Sequence, residues 1–390
     1  MINFCKLGTL MICGVLFIAL PMQALAVTYT YNDCDYIVGD IPVVISVPHG
    51  GADYVAYPFT THIGTLTGDA YTIQLATAIQ IAFQNTYGKK PHVIISKLYR
   101  CYLDPCRDPG KHATDGYFYR EQKLWDNHYY TITENGATYT KDIDSFINPC
   151  YNYEYYCPNS WNVWGTAQAQ RAWYQFHYFI DLATQKIYDS NPNQKILYID
   201  LHQQTNYSDT IELGYGIHAD DFANLGNISK DETSLCHLLP ASYTNAQLQA
   251  MLRGDSSFGG ILENKYNANP STYGSYGIYA LPSPDHQTPP TGCNYEQQNY
   301  SNGGWNLYYH TVVSNRKDQT GYSYSDYDIS SKSPHVYSFT SSPLDANEKI
   351  SGLQIEMPNN RINSSTKRAY MAQLLVDTIK DFFYLYYGTW

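Results

Sequence analysis

Apolar residues along this chain fall in short unbroken blocks, and each block ends in a turn or a polar side chain. Residues 41–47 (IPVVISV) run into Pro48-His49-Gly50-Gly51, and residues 195–201 (KILYIDL) stop at His202. Residues 352–357 (GLQIEM) carry Glu356 and stop at Pro358, and residues 92–96 (HVIIS) form a fourth block. Blocks of this length, bounded by turn residues, predict buried strands. Between them the spacing becomes helical. Ile73, Leu75, Ala76, Ile79 and Phe83 share a face over 69–84, and Trp173, Phe176, Ile180 and Ile187 share one over 166–188. A last helix is predicted from about 366 to 387. Buried strands alternating with helices predict an α/β sheet covered on both faces. Segments 101–165 and 265–345 are rich in Tyr, Asn, Ser, Pro and Gly and read as long loops above the sheet. With no internal repeat and no linker, residues 27–390 read as one domain.

The N-terminus has a different pattern. Lys6 precedes an apolar run from Leu7 to Leu20, and Ala24-Leu25-Ala26 supplies small residues at a cleavage position. This predicts a signal segment over 1–26 and an exported, periplasmic or secreted chain. Ile12 before Cys13 argues against a lipid anchor, and no later stretch is long and apolar enough to span a bilayer.

Export changes the meaning of the cysteines. Of nine, Cys5 and Cys13 belong to the signal segment. Cys34, Cys101, Cys106, Cys150, Cys157, Cys236 and Cys293 remain, enough for up to three disulfides and one thiol, with Cys150 and Cys157 placed to pair locally. No CxxC pair supports a zinc finger. The formal charge of −11 becomes −12 without Lys6 (23 basic, 35 acidic residues). That balance argues against nucleic acid and anionic membranes as partners. The 41 tyrosines offer amphipathic contact area suited to recognition.

The candidate chemistry lies at the strand ends, where open α/β sheets gather their sites. His49 follows the block 41–47, His202 the block 195–201, and Glu356 lies at the end of the block 352–357. A catalytic zinc takes three ligands from His, Asp and Glu and leaves one position open. A nearby carboxylate then handles the proton, and a cation steadies the oxyanion. His49 and His202 are the candidate ligands and Glu356 the candidate base. Asp69 reads either as the third ligand or as a helix N-cap, and Asp53 is its rival. Asp200 shares a strand face with His202, as an orienting carboxylate or a plain strand terminator. Arg100 and Arg107 bracket an Asp104-Pro105 turn, where they would grip an oxyanion or carboxylate or else stand solvated.

In this order, Val44–Gly51, Asp69-Ala70-Tyr71-Thr72, Tyr99–Asp108, Ile199–Gln203, Glu212–Tyr215, Arg253–Tyr266, Asn302–Trp305 with His310, and Gly352–Pro358 with Arg361 resemble the N-formylglutamate amidohydrolase family. The resemblance spans roughly 41–387. It implies a zinc-dependent exopeptidase-like (phosphorylase/hydrolase-like) α/β fold with a mixed β-sheet flanked by helices. It implies Zn2+ held by His49, Asp69 and His202, with Glu356 as acid/base and Arg107 on the substrate or its oxyanion. Arg100, Gly303, Gly304 and His310 would also line the substrate site. Cys106, Gly50 and Gln203 depart from the family's usual Asn, Ser and Gly. The expectation is therefore an exported zinc hydrolase of an amide bond in an N-acyl amino acid or peptide. The alternatives are a secreted binding protein on the same fold, and a serine or cysteine hydrolase, for which no GxSxG or local Cys–His signature stands in the chain.

Overall fold

In the computed structural model the described residues are 28–30, 33–52, 68–100, 105–106, 117–119, 129–134, 137–142, 155–157, 167–205, 208–217, 226, 228–286, 310–311 and 350–390. The expected signal segment, Asp53, Arg107, Gly303 and Gly304 lie outside them.

Among the described residues ten strands form one mixed sheet. They are β1 (Thr28–Thr30), β2 (Cys34–Ile37), β3 (Val43–Val47), β4 (His92–Ser96), β6 (Tyr129–Glu134), β7 (Ala137–Asp142), β9 (Ile196–Gln204), β10 (Thr210–Gly214), β11 (Tyr279–Leu281) and β12 (Ile350–Pro358). Two more, β5 (Tyr117–Tyr119) and β8 (Tyr155–Cys157), pair separately. The sheet order is β11-β10-β12-β9-β3-β4-β2-β1-β6-β7. Its centre, β12-β9-β3-β4, is parallel, and antiparallel strands flank it on both sides. These four are the apolar blocks of the sequence, because a strand buried on both faces needs a nearly continuous apolar run.

Among the described residues the α-helices are α1 (Thr72–Tyr87), α2 (Ala167–Ser190), α3 (Asn245–Arg253), α4 (Phe258–Ala268), the single turn α5 (Asn359–Ile362) and α6 (Ser365–Tyr387). On one face, Val43, Ile45 and Val47 of β3, Leu197, Ile199 and Leu201 of β9, and Leu353, Ile355 and Met357 of β12 pack with α1, α4 and α6 into one core. Successive strand side chains point to opposite faces. The interleaved residues, Val44 and Ser46, Tyr198, Asp200 and His202, and Gln354 and Glu356, therefore face the side that α2 covers. The same parity that fills the core sends the polar side chains to the opposite face, near the carboxyl ends of the strands.

The structure differs from the sequence expectation in several places. The β6–β7 hairpin lies inside the stretch read as loop, where alternating Thr, Tyr and Ile extend the sheet edge. Helix α3 has a Thr244–Gln247 capping box, and α4 is capped by Ser257 despite its Gly-Gly pair. Helix α1 begins at Thr72, not 69. Its N-cap, Tyr71, takes left-handed φ 67° and makes no side-chain cap bond. The cysteine expectation is corrected: Cys34, Cys106 and Cys236 carry thiols. Of the seven expected in the mature chain, four remain, enough for two disulfides at most. The side chains of Cys150 and Cys157 lie outside the description. Among the described residues no helix is long and apolar enough to cross a membrane.

Candidate metal centre

Strand register builds the site. His202 on β9 pairs directly with Glu356 on β12, and two residues deeper Asp200 is flanked by Ser46 and Gln354. His49 sits just past β3, and the backbone N–H of Asp69 donates to its carbonyl at 2.9 Å, which ties the loop to the start of α1. The glycines after His49 allow this approach. A side chain at Gly50 would meet Thr72 Oγ1 at 2.5 Å and Ile73 Cγ1 at 2.7 Å, and one at Gly51 would collide with the Lys97 carbonyl.

Asp69, His49, His202 and Asp200 are all buried. The two nitrogens of His202 face different neighbours. Its Nδ1 lies 2.9 Å from Asp69 Oδ2, and His49 Nδ1 lies 3.4 Å from that same oxygen. The imidazole rings of His49 and His202 meet edge to face, with centroids 4.8 Å apart. On the other edge, His202 Nε2 lies 2.9 Å from Asp200 Oδ2 and 3.6 Å from Cys106 Sγ. Ser46 donates its hydroxyl to Asp200 Oδ1 at 2.5 Å. The Asp69 carboxylate also accepts from the Gln203 N–H at 3.2 Å and lies 3.6 Å from Arg100 Nη1. Asp69 is thus turned into the site and does not cap α1.

Charges in so buried a place survive only when paired. Burial pushes the Asp69 carboxyl up, but the charge of His49 and the hydrogen bond from His202 outweigh it and hold the group far below the usual range. Asp200 is lowered in the same way, with burial opposed by the charge and hydrogen bond of His202 and by Ser46. Burial lowers His202, but the Asp200 charge, with Cys106 and Glu356, pushes it well above its usual value. His202 thus lies between two carboxylates, Asp69 at Nδ1 and Asp200 at Nε2. Burial lifts Glu356 to about 7, with His202 lowering it and Asp69 raising it. Glu212, directly opposite on β10, is lifted to about 7 by burial and by Glu356.

Two donor sets meet here. His49, Cys106 and His202 each offer a ligand atom, and these lie within 4.8 Å of one another, a group able to hold a metal ion. The second set is His49 Nδ1, Asp69 Oδ2 and His202 Nδ1. Ligand atoms around a tetrahedral zinc with bonds of about 2.0–2.1 Å stand about 3.3 Å apart; the 3.4 Å from His49 Nδ1 to Asp69 Oδ2 matches that spacing, and the 2.9 Å from His202 Nδ1 is shorter, the length of a hydrogen bond. Two imidazoles and a carboxylate also suit zinc chemically.

Of the residues singled out in the sequence, the structure brings together His49, Asp69, His202, Asp200, Glu356 and Arg100. His310 is buried with its ring 5.4 Å from that of Tyr198 and its Nε2 2.8 Å from His177 Nδ1. Ser46 and His177 were not singled out in the sequence, and Cys106 was noted there only as a cysteine and as a departure from the family's usual Asn.

No protein-family profile matches the chain, and no curated protein matches it. Among solved structures, N-formylglutamate amidohydrolase from Ralstonia eutropha JMP134 aligns with 92% of this chain and 100% of its own, at 12% identity and a TM-score of 0.40, a distant similarity of fold.

Proposed function

We propose that this protein is a zinc-dependent hydrolase of an amide bond, acting outside the cytoplasm on an N-acylated amino acid or a short peptide. The observation that carries the reading is the convergence of two histidine Nδ1 atoms on Asp69 Oδ2, with Glu356 paired to His202 across the strands. His49, Asp69 and His202 would hold the zinc, whose chemistry is to acidify a water toward neutral pH and polarise a carbonyl. Asp200, braced by Ser46, holds the Nε2–H of His202 and so leaves Nδ1 free to be a ligand, the usual division of labour for a metal-bound histidine. Glu356, with its carboxyl near pKa 7, is matched to accepting a proton from water and returning it to the leaving amine. Arg100 beside Asp69, and Arg107 further along, supply positive charge for the developing oxyanion. The signal-like N-terminus supports a reaction in the periplasm or beyond, and the acidic chain suits a small-molecule or peptide substrate better than nucleic acid or a membrane.

The test is Glu356→Gln in zinc-loaded protein, assayed on a panel of N-acyl amino acids and peptides. Hydrolysis should fall about 10²–10⁴-fold while zinc content stays at the wild-type level. Undiminished hydrolysis in a variant that retains zinc would remove Glu356 from the mechanism. Zinc-free wild-type protein after dialysis from excess zinc would remove the metal.

A further inference from the structure

Two buried polar chains converge on the Nε2 edge of His202. The first is Ser46 and Tyr198 on Asp200: Ser46 Oγ is 2.7 Å from Tyr198 Oη and donates to Asp200 Oδ1. The second starts on α2 and has no part in the chemistry described so far. Asp181 Oδ1 lies 3.5 Å from His310 Nδ1, His310 Nε2 lies 2.8 Å from His177 Nδ1, and His177 Nε2 lies 3.0 Å from the Pro105 carbonyl. His177 and Asp181 are four residues apart on α2 and so share a helix face. The rings of His177 and His310 stack with centroids 5.1 Å apart, and His310 lies 5.4 Å from the Tyr198 ring.

The bonds of this chain run in one order in space. A carbonyl only accepts, so His177 carries a hydrogen on Nε2. Its Nδ1 then meets His310 Nε2, one donating and the other accepting, and this turns His310 Nδ1 toward Asp181. Rotating either ring breaks the sequence of bonds. What the chain holds is the Pro105 carbonyl, and the next residue is Cys106, whose Sγ lies 3.6 Å from His202 Nε2 and 3.9 Å from Asp200 Oδ2. An aromatic residue at 177 would fill the space without fixing any direction. A histidine relay fixes the turn to within a hydrogen bond.

We infer that His177 and His310 are positioning residues for the metal centre: through the Pro105 carbonyl they set the Cys106 thiol against His202 and Asp200, and so hold the orientation of the His202 ring. The part concerning the metal rests on the function proposed above; the part concerning the thiol does not.

The experiment follows the alkylation of Cys106 by iodoacetamide in full-length, metal-free protein, read residue by residue by peptide mass spectrometry. His177→Ala should speed the modification about tenfold, the change in open population expected from losing one net buried hydrogen bond. His177→Gln, whose amide N–H reaches toward the same carbonyl, should return the rate to near wild type. Phe179→Leu, a packing change on the same helix against Tyr36, should leave it unchanged. If His177→Ala does not fold, His310→Ala breaks the chain one link further off and should give the same acceleration. Equal rates in wild type and folded His177→Ala, no rescue by Gln, or the same acceleration in Phe179→Leu would each overturn the inference. The same proteins loaded with cobalt separate the two parts: the visible spectrum of bound cobalt should shift in His177→Ala and recover in His177→Gln. If wild type takes up no cobalt, the metal reading fails, and the positioning role toward a metal fails with it. If cobalt binds but the thiol rates do not move, the positioning inference alone fails.

Discussion

His92 gives the sharpest test of the packing that supports the site, because it is a titratable group sealed in the sheet one strand away from His49. It opens β4, is 3% exposed, and lies with Nδ1 2.7 Å from Tyr36 Oη and its ring stacked on that tyrosine. Burial, with a smaller contribution from the Lys186 charge on α2, lowers its pKa from 6.5 to about 3. The folded protein therefore keeps His92 neutral down to about pH 3, while the unfolded chain takes up a proton below about pH 6.5. Between these values the unfolded state binds more protons, so stability rises with pH across the window and is lost as pH falls through it. Each pH unit inside the window is worth about 1.4 kcal/mol. At pH 5, about 1.5 units below the unfolded value, the loss relative to pH 8 is about 2 kcal/mol. The assay is urea unfolding of wild type and His92→Gln at both pH values. Other titrating groups act alike in the two proteins, so the difference isolates His92: wild type should lose about 2 kcal/mol more than the variant between pH 8 and pH 5. An equal loss in both would refute the assignment of a neutral, buried His92.

Three further outcomes follow from the packing and the site. Gly259→Ala in the first turn of α4 would drive a methyl group into the Pro282 carbonyl and should cost about 3 kcal/mol, read by denaturant midpoint; a loss under about 0.5 kcal/mol would show that α4 does not press on that backbone. Zinc at about a hundredfold excess over its Kd should stabilise the wild-type protein by about 2.7 kcal/mol, visible as a rise in Tm that a chelator reverses. Asp69→Asn, which keeps the side-chain volume but removes the charge between the two histidines, should abolish most of that rise, and an undiminished rise would move the metal to the Cys106 edge of His202.

The four central strands were legible in the sequence because strands buried on both faces must be apolar along their length, and three of them ran into an abrupt polar end at His49, His202 or Glu356. Helices α1, α2 and α6 were legible because each shows one apolar stripe to the sheet. The two-residue step between Asp200 and His202 put both side chains on one face. The start of α1 misled for a physical reason: Asp69 has the chemistry of an N-cap, and only the nearby His49 and His202 decide that its carboxylate turns inward while Tyr71 takes the cap position. The short flanking elements were hidden because β11 has only 3 residues and β10, at 5, is broken in its middle by Glu212, so neither reads as an apolar run.

Local pattern thus determined the element types and the polar residues at their ends, since burial and side-chain alternation act over a few neighbouring positions. Tertiary structure decided which of those residues meet. The register of β9 against β12 sets His202 beside Glu356, and the loop after β3 brings His49 within 3.4 Å of Asp69. The chain from Asp181 through His310 and His177 to the Pro105 carbonyl joins three segments that share no local pattern. A hydrogen bond depends on distance in space, and distance between residues far apart in the chain is set only when the sheet and the helices that cover it have closed around one core.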